Sequence, residues 1–169
     1  MKTLLTLLCF LSISLAVTIS VTANDGKVVT SSDGKYFDAD DNLIYKIGSD
    51  GTVDWYTYNG FRRYHSECHV CHGPDGLGSS FAPALATSLE TLSYDDFLDA
   101  VVNGRERVNA SEQQKMPAFG QNPNVMCYLD DIYVYLKARS DNTLGRGRPL
   151  KKAPKSATAK EDENACFGD

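Results

Sequence analysis

The chain has 169 residues, 42% of them hydrophobic, with 17 Lys and Arg against 22 Asp and Glu and a formal net charge of −5. That length allows one domain with a modest core plus extensions, and the acidic balance excludes nucleic acid as a general partner. The charge is uneven: seven aspartates crowd residues 24–60 against three lysines, while residues 144–160 hold six Lys and Arg and no acid.

Residues 1–23 read as a secretory signal. Lys2 gives a positive start, "LLTLLCFLSISLAV" an apolar run broken by Thr and Ser, and Val21-Thr22-Ala23 a small-residue cleavage site. A membrane anchor is the competing reading. Cleavage leaves 146 residues at a net charge of −6, an exported soluble protein with no other stretch able to span a bilayer.

Residues 24–58 are expected to form a small β-hairpin extension, because "KYF", "LIYKI" and "TVDWYTY" alternate with the turn clusters "DADDN" and "GSDG". From Asn59, read as an N-cap, the period becomes helical, with Phe61, Tyr64 and Cys68 on one face. This opens a domain over 59–139. A second helix is signalled by Ser93 as cap, Asp96 at the capping-box position, a Leu92–Phe97 staple, the stripe Phe97, Leu98, Val101 and Val102, and Gly104 as stop. The last helix follows Pro123-Asn124, with Val125, Leu129, Ile132 and Leu136 inward and Lys137 and Arg139 in its final turn. Residues 140–169, rich in Gly, Arg, Pro, Lys and Ala, read as a solvated, largely disordered basic tail ending near Cys166.

The chemistry concentrates in "YHSECHVCHGPDG", residues 64–76. Cys68-His69-Val70-Cys71-His72 matches C-x-x-C-H, in which two thiols on about one turn add to the vinyl groups of haem and the following histidine lies under the iron. A thioredoxin-like pair would need a βαβ context, and zinc a second ligand pair. The reading is therefore one covalent haem c on Cys68 and Cys71, with His72 as an axial ligand of the iron. For the opposite axial position Met116 is favoured, in "QQKMPAFG", where Pro117 holds its backbone extended. Met126, His65 and His69 are the rivals. Arg105, ahead of Arg107 in "NGRER", is a candidate contact for a haem propionate, against the plainer reading of a solvated loop charge. The N-terminal strands would cover the haem crevice or the core, or alternatively dock a partner. Once Cys9 leaves with the signal and haem consumes two thiols, Cys127 and Cys166 remain as an even pair and are expected to be joined.

Over about Asn59 to Arg139 the sequence resembles the class I cytochrome c family. The resemblance implies a mainly α fold around one covalent haem, with Gly60 and Tyr64 of the first helix packed on Ile132 and Tyr135 of the last. It also implies that the carbonyl of Pro83, in "APAL", accepts a hydrogen bond from the proximal histidine. A narrower resemblance runs through "YTYNGFRRYHSECHVCHGPDGLGSSFAPAL", "MPAFG", "NVMCYLDDIYVYLKAR" and "GRGRP". It is to the periplasmic cytochromes c that accept electrons from pyrroloquinoline-quinone (PQQ) alcohol dehydrogenases, above all the group related to cytochrome c-L that serves lanthanide-dependent methanol dehydrogenase. This implies a periplasmic monomeric carrier, not an enzyme, passing single electrons to a downstream cytochrome or oxidase. The alternative is a haem enzyme or ligand-binding haem protein with a displaceable Met116.

Overall fold

A computed structural model describes residues 30–32, 34–108 and 113–168. The signal expected at 1–23, with Cys9, and residues 24–29 of the extension lie outside the described residues. Three short antiparallel strands come first, β1 (Thr30–Ser32), β2 (Lys35–Phe37) and β3 (Leu43–Ile44), in the order β1-β2-β3. The Asp38 carboxylate accepts the N–H groups of Asp40 (3.0 Å) and Asn42 (2.9 Å) and so closes the β2–β3 turn. Ile44 and Tyr45 are buried in the main core, so this sheet is a cover for the helices.

"TVDWYTY" corrects the sequence reading. It does not continue the meander but opens α1 (Trp55–Glu67), and the N-cap is Asp54, not Asn59. The buried Asp54 carboxylate accepts the Thr57 N–H (2.8 Å) and hydroxyl (2.6 Å) and the Lys46 N–H (2.8 Å), tying strand to helix. This outweighs the strand propensity of Trp, Tyr and Thr. Asn59 lies inside the helix, buried, and donates to Asp131 at 2.7 Å.

The chain continues through α2 (His69–His72), a 3-10 turn at Pro74–Gly76, α3 (Leu85–Ser88) and α4 (Tyr94–Asn103). Ser93 caps α4, accepting the Asp96 N–H at 3.1 Å, and Gly104 ends it, as the sequence predicts. The hairpin β4 (Arg105–Val108) and β5 (Gln113–Met116) follows, then α5 (Pro123–Met126) and α6 (Leu129–Ser140). The last helix is thus split at Cys127-Tyr128. α6 is buried almost all round, because α1, α3, α4 and β3 each lie against it.

α1 and α6 cross at Gly60, where a Cβ atom would fall 1.8 Å from the Asp131 carbonyl oxygen; only a glycine lets the backbones touch. One turn on, the fully buried rings of Tyr64 and Tyr135 pack at 5.5 Å. At this crossing burial pushes the Asp131 carboxyl up from 3.8 to about 7, with Asn59 and Lys35 opposing and Asp130 adding. The folded chain therefore holds this proton to higher pH than the unfolded chain. The resulting stabilisation is complete below about pH 4 and is lost as pH rises through about 7. At about 1.4 kcal/mol per pH unit it amounts to ~4 kcal/mol as an upper bound. Urea unfolding should show wild type weaker at about pH 8 than at about pH 5, and Asp131→Asn should flatten that slope.

The tail also corrects the sequence reading. Leu144 is buried, the Val53 N–H bonds the Lys151 carbonyl (3.1 Å) and the Ala153 N–H bonds the Val53 carbonyl (2.8 Å). A helix, α7 (Ala157–Phe167), follows, capped by Ser156. Cys127 and Cys166 are disulfide-bonded, and Glu163 receives Arg63 (3.4 Å), Lys155 and the Tyr128 hydroxyl. The segment has too few apolar residues to fold alone, so its order comes from these distant partners. Cys127→Ser should cost ~3–4 kcal/mol on a chain-entropy account of the closed loop. Hydrogen exchange should show the loss as faster exchange in α7 with α4 unaffected.

Candidate functional site

α1 ends at Glu67 and its capping residue is Cys68, whose N–H bonds the Tyr64 carbonyl at 2.8 Å. The turn restarts at once: His72 N–H bonds the Cys68 carbonyl at 3.0 Å, so Cys68, Cys71 and His72 stand on one turn of backbone. Gly73 then reverses the chain at φ +71°, and Gly78 N–H closes onto the His72 carbonyl at 2.8 Å. A Cβ at Gly73 would lie 2.1 Å from the Gly78 carbonyl oxygen, so a side chain there would force the loop open. Tyr64 hydroxyl secures the same loop by donating to the Gly73 carbonyl at 2.6 Å.

His72 is buried, and its Nδ1 lies 3.0 Å from the Pro83 carbonyl oxygen. A carbonyl can only accept, so Nδ1 carries the hydrogen, and in the neutral ring it is Nε2 that offers a lone pair. Cys68 and Cys71 are both unpaired, unlike Cys127 and Cys166. Burial, with the nearby charges of Glu67 and Cys71, pushes the Cys68 thiol up to about 12. A thioredoxin-like pair needs the opposite, a thiol lowered toward thiolate. Among the described residues no group of three or more His, Cys, Asp or Glu could hold a metal ion, which leaves the zinc reading without its second ligand pair. Two thiols, one oriented imidazole, and exposed apolar side chains around them (Val70 at 82%, Phe81 at 75%) fit the attachment of a large apolar prosthetic group bearing a metal.

The other sequence candidates separate. Met116 ends β5 opposite Arg105 of β4 and is partly buried against the core. The segment read as a loop is therefore a hairpin, stitched to α4 by Phe119 N–H to the Val101 carbonyl (2.9 Å) and Gly120 N–H to that of Val102 (3.1 Å). Met126 instead lines a cavity of ≈ 230 Å³ beneath α7, beside Cys127. His65 donates from Nδ1 to the Phe61 carbonyl (2.8 Å), and its ring packs on Phe61, Tyr64, His69 and Tyr135. Arg105 is exposed and donates to the Asp96 carbonyl at 3.3 Å, while the side chain of Arg107 lies outside the described residues.

Asp75 is a site residue that the sequence does not disclose. It is buried at φ +59° in the turn after His72, and its carboxylate accepts Gly147 N–H (2.9 Å) and Arg146 Nε (3.3 Å). Arg139, buried in α6, donates to the Asp75 carbonyl at 3.3 Å. Burial alone would raise the Asp75 carboxyl, but Gly147, Arg146 and Arg139 outweigh it and hold it below its ordinary value. The only sequence signal is the turn "GPDG" itself, which says nothing of a partner some 70 residues on.

Comparison with known proteins agrees with this geometry. The family described as cytochrome c oxidase, cbb3-type, subunit III matches residues 57–136. Cytochrome c-553I of Paracoccus denitrificans is 47% identical over 160 residues, 89% of this chain and 71% of the relative. Cytochrome c-555 of Methylococcus capsulatus is 45% identical over 96 residues, 56% of this chain and 72% of the relative. The crystal structure of the c-type cytochrome XoxG from Methylobacterium extorquens AM1 matches with a TM-score of 0.77 and 51% identity, covering 83% of this chain and 86% of that one.

Proposed function

The chain belongs to the c-type cytochromes, and on that premise we propose that it accepts single electrons from a PQQ-dependent methanol dehydrogenase in the periplasm and passes them to a downstream cytochrome or oxidase. Membership makes it a monohaem electron carrier with haem c covalently bound. That group supplies the chemistry, cycling by one electron between ferric and ferrous iron. Cys68 and Cys71 would hold it through thioethers, and His72 would ligate from Nε2.

The observation that carries the ligand assignment is the His72–Pro83 hydrogen bond beside two unpaired thiols. It fixes the imidazole in one tautomer and one orientation and raises its basicity as a ligand. Met116 is the second ligand in this reading. Its partly buried position on a hairpin tied to α4 supports it, and Met126 is accounted for by packing under α7. His72 and Met116 together would leave the iron no open position, which suits carrying electrons over activating a bound molecule, and such ligation raises the potential as an acceptor requires. The long motifs shared with acceptors of PQQ alcohol dehydrogenases support the donor, and the signal read at 1–23 supports the periplasm. No helix among the described residues is long and apolar enough to cross a membrane.

Stopped-flow mixing of methanol-reduced, lanthanide-loaded dehydrogenase with the oxidised cytochrome tests this directly. The haem α-band should rise at a rate that increases linearly with dehydrogenase concentration. A cytochrome that stays oxidised while an artificial acceptor is reduced by the same dehydrogenase would refute the donor.

A further inference from the structure

Leu150 is 98% exposed, yet it does not hang from a loose tail. The next residue, Lys151, gives its carbonyl to the Val53 N–H (3.1 Å), and Ala153 bonds Val53 in return (2.8 Å). On the other side Gly147 is fastened to the Asp75 carboxylate at 2.9 Å. Residues 147–153 are thus pinned at both ends, holding a large apolar side chain out in water.

The charge around Leu150 is equally specific. Arg148 and Lys152 reach neutral partners: Arg148 meets the Tyr58 hydroxyl and ring, and Lys152 lies over the rings of Trp55 and Tyr58, 5.0 Å from each centroid. Arg146 and Lys151 pair with Asp75 and Asp50 yet stay 67% and 58% exposed. The segment 144–160 contains six of the chain's 17 Lys and Arg and none of its 22 Asp and Glu. On an acidic protein this is a local reversal of sign, set beside Asp75, three residues beyond the proposed iron ligand His72.

We infer that residues 146–152 form a pre-shaped docking strip for an acidic surface of the electron-donating protein, with Leu150 as its apolar anchor and Arg148 and Lys152 as its flanking charges. An apolar centre with a charged margin is the usual anatomy of such a contact. Its backbone is already ordered, so little conformational entropy is lost on binding. The flanking cations speed encounter with an acidic partner at low salt. The Asp75 tether sets the Gly147 end of the strip beside the loop that follows His72, and the Val53 tether sets its other end at the start of α1, so the strip runs along that helix toward the attachment loop. The inference rests on the proposed transfer from a dehydrogenase and adds where that protein binds.

Two variants test it, Leu150→Asp and Arg148→Ser combined with Lys152→Ser, each in the full-length holoprotein. The second-order rate constant for reduction by the methanol-reduced dehydrogenase should fall about tenfold or more in each. The double variant should also lose much of its salt dependence. Reduction potential and the rate of oxidation by a neutral quinone should not change. Leu150 makes no buried contact, so its variant isolates docking from folding. Wild type and variants reduced at equal rates would overturn the strip and leave the donor in place. A wild type that the dehydrogenase does not reduce would overturn the donor assignment, and this partner for the strip with it. A concentration-dependent dimer in sedimentation, abolished by Leu150→Asp, would assign the strip to a second copy of the chain and overturn the inference.

Discussion

With the proposed ligands, Met116→Ala protein should keep its haem, because the thioethers that Cys68 and Cys71 would form are untouched, but should lose its character as a carrier. Without the thioether ligand the potential should fall by ~0.1 V or more, within the roughly 0.8 V range that axial ligation spans. The ferrous variant should bind carbon monoxide. Met126→Ala is the matched control, since that side chain lies beside Cys127 at the cavity beneath α7. It should lose stability without losing potential. Redox titration with an absorption spectrum of each variant reads both effects, and the reverse pattern would exchange the two assignments.

Gly60→Ala should be the most damaging single methyl in the protein's core. The new Cβ would fall 1.8 Å from the Asp131 carbonyl oxygen, 2.5 Å from its carbon and 2.8 Å from the Tyr135 Cβ. Two of these atoms are backbone, so no rotamer change relieves the contact and α1 must move off α6. The usual overpacking cost is about 1–3 kcal/mol, and a backbone clash belongs at or beyond its upper end, so ~3–5 kcal/mol is expected. The shift would also separate Tyr64 from Tyr135, and with Tyr64 goes its 2.6 Å bond to the Gly73 carbonyl in the attachment loop. Denaturant midpoints of the holoprotein, beside Gly76→Ala for comparison, check the stability. Near-wild-type stability in Gly60→Ala would mean that the helices do not touch there.

What can be read from the sequence follows from which contacts are local. α4 is readable because Ser93, Asp96, Phe97 and Gly104 interact within one element. The C-x-x-C-H pentad stands out because its spacing is local, and the structure keeps Cys68, Cys71 and His72 on one turn. The start of α1 is not, because the cap on Asp54 draws on Lys46 across a bend, against residues that favour strands. The tail misleads for the same reason on a larger scale. Composition predicts disorder, whereas Gly147 meets Asp75, Lys151 meets Val53 and Lys152 meets Trp55, none of them near in sequence. Asp75 reads as one more turn aspartate until the tail arrives to bond it.

A haem enzyme, the alternative that the sequence leaves open, differs from a carrier in one respect that can be measured without any partner, namely whether the iron is closed in the reduced state. The decisive measurement is the absorption spectrum of the dithionite-reduced, full-length wild-type protein before and after saturation with carbon monoxide at neutral pH. If His72 and Met116 both hold the iron, the spectrum stays unchanged over minutes, while Met116→Ala shifts at once. A rapid shift in the wild type would contradict the carrier account and put a displaceable ligand, and with it an enzyme or ligand-binding role, in its place.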